Sequence, residues 1–156
     1  MTVSARGVSQ SYRLYHNTAD VGNGGSLTTL ASFTIGAGVL LHDGDSVEFD
    51  LYGTFAGPAN ENLLVSYGGT TIFDSGNIDP AGGGFHVYGV IVRNGASAQR
   101  AMATMVTSGL TLVQLTGPDL TLDNASAQAL AVTASADNDA DVTLSEIFVT
   151  FIGAPQ

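Results

Sequence analysis

This chain of 156 residues has no cysteine, no tryptophan and no lysine. Without thiols it forms no disulfide, no iron–sulfur cluster and no thiolate zinc site, and cofactors of that kind are excluded. Without tryptophan it lacks the broadest platform for a sugar face, which leaves Tyr12, Tyr15, Tyr52, Tyr67 and Tyr88 as substitutes. Its only strong cations are Arg6, Arg13, Arg93 and Arg100, set against fourteen acids for a net charge of −10. Such a surface repels phosphate backbones and anionic lipid, so neither nucleic acid nor a membrane is expected as a partner. No apolar run nears the roughly 20 residues that span a bilayer, and residues 1–6 lead into no signal-peptide core. A soluble protein without a leader is expected.

What the chain does have is alternation. In residues 46–55, Val47, Phe49, Leu51, Gly53 and Phe55 fall on one side and Ser46, Glu48, Asp50, Tyr52 and Thr54 on the other, the period-two pattern of a half-buried strand. Residues 63–67 and 70–73 flank Gly68-Gly69, and residues 85–93 meet 96–106 across Asn94-Gly95, a strong hairpin dipeptide. Residues 110–116 and 120–122 flank Gly117-Pro118-Asp119, which predicts another hairpin. The stretches 98–106 and 125–134 are alanine-rich enough for helix, but neighbouring threonines and the Asn94-Gly95 turn favour strands. In residues 142–152 both alternating faces are largely apolar, which asks for burial on two sides, in a central strand or at a subunit interface. The pattern predicts an all-β protein, an antiparallel jelly-roll-like β-sandwich of about nine strands in residues 26–156, preceded by an N-terminal arm in residues 1–25.

The arm is set apart by charge. Arg6 and Arg13 precede the first acid, Asp20, and the remainder of the chain carries two arginines against fourteen acids. With Tyr12 and Tyr15 beside them, these arginines pair fork-shaped cations with amphipathic rings, a combination enriched at protein interfaces. Arg6, Tyr12, Arg13 and Tyr15 are therefore the candidate interface residues, with stapling of the arm to its own sheet as the competing reading.

The segments Gly44-Asp45-Ser46-Val47-Glu48-Phe49, Gly53-Thr54-Phe55-Ala56, Ile72-Phe73-Asp74-Ser75-Gly76 and Ile91-Val92-Arg93-Asn94-Gly95-Ala96, with Gln99, are similar to a pattern in small jelly-roll structural proteins of tailed bacteriophages. Those proteins include capsid decoration (cement) proteins and domains of tail fibres or spikes, often trimeric. The likeness covers about the middle half of the chain and rests on turn glycines and apolar strand positions. Similar sequences often have a large aromatic such as tryptophan where Phe85-His86 stands. The resemblance implies a virion structural protein on the outer capsid surface, with the major capsid protein and further copies of itself, as a homotrimer, for partners. Its alternative is a receptor- or glycan-binding domain of a tail fibre or spike. It carries over no catalytic residue.

Three groups of residues carry candidate chemistry. His42, Asp43 and Asp45 have metal-ligand types, yet neighbours in an extended turn diverge, and a strand entrance explains them as well. Asp137, Asp139 and Asp141 form a D-x-D-x-D run, but a calcium loop wants glycine at Val142 and glutamate at Phe148, so a solvated loop is the better reading. No G-x-S-x-G elbow or H-x-H pair accompanies His16, His42 and His86, which are expected to be structural or simply exposed. Asn124-Ala125-Ser126 matches a glycosylation sequon, relevant only in a secretory setting. These readings lead to the expectation that the protein is not an enzyme and holds no metal. Long strands without lysine to guard their edges further predict a closed homo-oligomer.

Overall fold

The computed structural model describes residues 10–57, 60–78, 82–108 and 112–154. Among them are eleven strands: β1 (Ser11–Asn17), β2 (Val21–Gly24), β3 (Thr28–Ile35), β4 (Ser46–Phe55), β5 (Asn62–Tyr67), β6 (Thr70–Asp74), β7 (Gly83–Arg93), β8 (Gln99–Thr107), β9 (Leu112–Leu120), β10 (Gln128–Ser135) and β11 (Asp139–Ile152). No described residue is helical, including the alanine-rich β8 and β10. Every strand pairing is antiparallel. The large sheet runs β1-β11-β4-β7-β8-β9, with β2 also paired to β11, and the small sheet runs β3-β10-β5-β6.

The two sheets enclose one core. Val47, Phe49, Leu51 and Phe55 of β4, the face predicted by alternation, are buried with Val87 and Ile91 of β7 and Met105 of β8. From the small sheet come Leu63 and Val65 of β5, Ile72 and Phe73 of β6, and Leu130 and Val132 of β10. Two glycines make room for rings. A Cβ on Gly89 would stand 2.1 Å from the Phe49 ring, and one on Gly53 would stand 2.4 Å from the Phe85 ring. Because Phe49 pairs with Gly89 and Gly53 with Phe85 across the β4–β7 ladder, each ring lies over the glycine opposite it.

Three details differ from the expectation. The Gly22-Asn23-Gly24 stretch, expected to close the N-terminal arm, is part of strand β2. Asn23 fixes it: its Nδ2 donates to Asn138 O at 3.1 Å and its Oδ1 accepts from Val142 N at 2.8 Å. The hairpin expected at Gly117-Pro118-Asp119 is absent, because β9 runs straight through it along the edge of the large sheet. Pro118, which has no N–H to donate, coincides with the register shift between Arg100 and Met102 on β8, a place where an edge strand tolerates proline. Finally, the alternation of β11 changes phase at a register shift between Leu144 and Glu146. Val142 and Leu144 face the core before it, and Ile147 and Val149 after it. The two apolar faces read from the sequence are thus one inner face interrupted by a bulge, on a strand that lies between β1 and β4.

Gly68 and Gly69, at φ of 55° and 79°, make the two-residue β5–β6 turn for which glycine is favoured. The β7–β8 hairpin at Asn94-Gly95 forms as predicted, though β8 begins at Gln99. Asn94 N donates to Ala98 O at 2.8 Å to close that loop.

Candidate functional site

Asp45, Arg93, Gln99 and Asn124 come together at one corner, where they bind mostly backbone. The Asp45 carboxylate, almost wholly buried, accepts from Leu41 N (3.0 Å), His42 N (2.7 Å) and Ala154 N (2.8 Å). Burial alone would raise its pKa, but these hydrogen bonds and the nearby His42 outweigh it and hold the carboxyl below its ordinary value. Arg93 donates to the carbonyls of Leu40, Leu41 and Gly95 and pairs with Asp43 at 3.1 Å. Buried Gln99 donates to Leu122 O (2.8 Å) and Asn124 Oδ1 (2.6 Å), while Asn124 Nδ2 donates to Gly95 O and Ala96 O. The sequon asparagine is therefore a buried strut. Asp45 is committed to this clasp, Asp43 pairs with Arg93, the His42 ring lies 3.6 Å from the Asp45 carboxylate, and no group of three or more metal-ligand side chains occurs among the described residues.

Of the candidate interface residues, Arg6 lies outside the described residues. The other three lie on β1 against their own protein. Tyr12 sits 4.9 Å from the Phe151 ring, Tyr15 stacks on Phe33 at 4.9 Å, and the Arg13 guanidinium lies 4.6 Å over the Phe148 ring. In the acidic run, Asp137 accepts from Asn60 Nδ2 and Asp141 from Asn138 N and Nδ2.

The chemistry that sequence reading did not assemble lies on the outer face of the large sheet. Register sets His16 beside Phe148, Phe148 beside Asp50, and Asp50 beside Tyr88; one row on, Glu146, Tyr52, His86 and Val106 follow each other across β11, β4, β7 and β8. The imidazole of His86 stacks on Tyr52 at 4.4 Å and 3° and bonds Asp50 Oδ1 through Nε2 at 2.8 Å. His16 stacks on Phe148 at 4.3 Å and bonds Glu146 Oε1 at 3.1 Å, and Phe148 meets Tyr52 edge-on at 6.2 Å. It is the β11 bulge that brings Glu146 out to this face. Desolvation, then the charges of Asp50 and Glu146, raise the Tyr52 pKa; desolvation, then Glu48 through its charge and hydrogen bond, and Asp50, raise that of Tyr88. Both phenols thus remain donors across the neutral range.

Two features break this face. Between the Tyr52–His86 pair and the end of β8 lies a shallow hollow of about 490 Å³, lined among others by Val106, Thr107, Ser108 and Ser145. Along β7 and β8, Tyr88, Met102 and Val106 are each more than 40% exposed, with Val90 and Val92 half-buried beside them.

No protein-family model matches the sequence, and no curated protein does. One similar solved structure is a mutant of the alginate lyase Aly36B in complex with an alginate trisaccharide. It is 14% identical, spans 95% of this chain and 82% of that one, and has a TM-score of 0.34. That neighbour is an enzyme, and the expectation that this protein is not one is withdrawn on that finding. At so low a score the likeness assigns no substrate and no reaction to this chain.

Proposed function

We propose that this protein is a virion structural protein of a tailed bacteriophage, a capsid decoration protein that sits on the outer surface of the head as a homotrimer. The observation that carries this reading is the apolar stripe of Tyr88, Val90, Val92 and Met102 on β7 and β8, ending at Val106. Contiguous exposed apolar surface of this kind marks a docking site rather than a solvated sheet face. The stripe adjoins β9, the edge strand, and the chain has no lysine to keep that edge from pairing. The resemblance in the glycine-turn segments supports the same class, and the remaining acidic surface suits a soluble protein added to a finished particle.

In virions purified from the phage that carries the gene, mass spectrometry should find the protein at a copy number matching a capsid lattice; its absence from virions overturns the reading. Light scattering should give a trimer that Met102→Asp reduces to a folded monomer. A stable wild-type monomer at micromolar concentration, with no trimer on particles, would sink the assembly part.

A further inference from the structure

We propose that Asn94 is a site of spontaneous deamidation, and that the isoaspartate formed there loosens the clasp around Arg93 and Asn124. The chain has three dipeptides in which an asparagine or aspartate is followed by glycine: Asn23-Gly24, Asp43-Gly44 and Asn94-Gly95. In each, the glycine nitrogen, which no side chain shields, is held one residue from a side-chain carbonyl carbon and can close a five-membered ring on it. The fold leaves only the third of them open.

The first is closed on both sides. Asn23 is 3% exposed, its Nδ2 and Oδ1 are engaged by Asn138 O and Val142 N, and Gly24 N donates to Thr28 Oγ1 at 3.0 Å. In the second, Gly44 N donates to Arg93 O at 2.9 Å. Asn94 differs in each respect. It is exposed in the β7–β8 loop, and neither its side chain nor Gly95 N makes a hydrogen bond among the described residues. The loop is held through other groups, Asn94 N and Gly95 O. Gly95 itself lies at φ 149°, a conformation that residues with side chains avoid.

In the reaction, Gly95 N bonds to Asn94 Cγ as the Cγ–Nδ2 bond breaks; the proton of that nitrogen leaves with the amide group as ammonia. Water then opens the succinimide. Cleavage at Cγ gives aspartate, and cleavage at the Asn94 main-chain carbonyl carbon gives isoaspartate, whose backbone runs on through Cγ. The second product places an additional methylene directly before Gly95. Gly95 O accepts from Arg93 Nε at 3.1 Å and from Asn124 Nδ2 at 3.1 Å, so its displacement costs the clasp two bonds. Either product also adds a carboxylate to the hollow of about 320 Å³ that Asn94 lines with Asp43, Arg93 and Arg100, where it competes with Asp43 for Arg93.

The test ages the full chain in neutral buffer at physiological temperature, with peptide mapping in mild acid. The Asn94 peptide should exchange its amide for an acid, taking one oxygen from heavy-oxygen water, and should become a substrate for methyl labelling by protein isoaspartate methyltransferase. It should convert at least about tenfold faster than the Asn23 peptide of the same folded sample. In urea the two peptides should convert alike, because unfolding frees Asn23. Asn94→Gln should stay unmodified and match fresh wild type in melting temperature. Aged wild type, but not aged Asn94→Gln, should unfold at a lower urea concentration than fresh protein. Equal conversion of Asn94 and Asn23 in the folded chain, aspartate without isoaspartate, or an unchanged urea midpoint in the converted sample would each overturn the proposal. All of these readouts come from isolated protein, so neither their failure nor their success bears on whether the protein is found in virions.

Discussion

Two polar regions of this protein use similar side chains to opposite ends. At the clasp, Asp45, Arg93, Gln99 and Asn124 are turned inward and nearly all their partners are backbone groups of loops far apart in sequence. On the outer sheet face, Asp50, Glu146, His16 and His86 partner other side chains and stay partly exposed. The first arrangement fixes the ends of β7, β8 and β4 in one geometry. The second leaves chemistry available to a ligand. The clasp thus ties the chain to itself, while the outer face keeps its side chains at the surface.

This contrast can be broken by substitution. Asn124→Ala should have the largest effect, since it removes two donated bonds and one of the two acceptors of the buried Gln99 amide; about 3 kcal/mol of unfolding free energy should be lost in urea titration. A loss below about 1 kcal/mol would mean that the clasp is dispensable. Asp45→Asn should cost about 2 kcal/mol at neutral pH. The folded pKa of Asp45 lies below its unfolded value, so its contribution is complete above about pH 4 and fades as acid carries the pH down through the folded value. The gap between wild type and Asp45→Asn should therefore close in acid; a gap constant from pH 7 to pH 2 would assign the effect to packing. Smallest should be Asp50→Asn and Glu146→Gln on the open face, each within about 0.5 kcal/mol and less in high salt, as exposed pairs are.

The same contrast explains what could be read from the sequence. Strands β4 and β7 were legible because alternation registers burial on one face, and Val47 to Phe55 kept strict phase over the whole of β4. The β11 bulge was not: a single extra residue shifts the phase, and in one dimension this looks like two apolar faces. Strand β2 was hidden because its glycines signal turns, while the side chain that secures it, Asn23, bonds a strand well over a hundred residues on. The ring cluster was invisible for a like reason. His16 and Glu146 are 130 residues apart, and only strand register makes them neighbours.

Strand β11 also has a bearing on how the chain is made. It follows β1, β2 and β4 in synthesis yet is the partner of all three, and β1 pairs with nothing else. At ribosomal speeds of roughly 5–20 residues per second, β1 must wait about 6 to 26 seconds for its hydrogen-bonding neighbour. Until then the nascent chain holds Tyr12 and Tyr15 with neither Phe151 nor β11 to receive them. Completion of the large sheet is therefore a late event, and a truncated translation product that stops before Asp139 would leave β1 and β2 without their partner strand, with β4 held only on its β7 side.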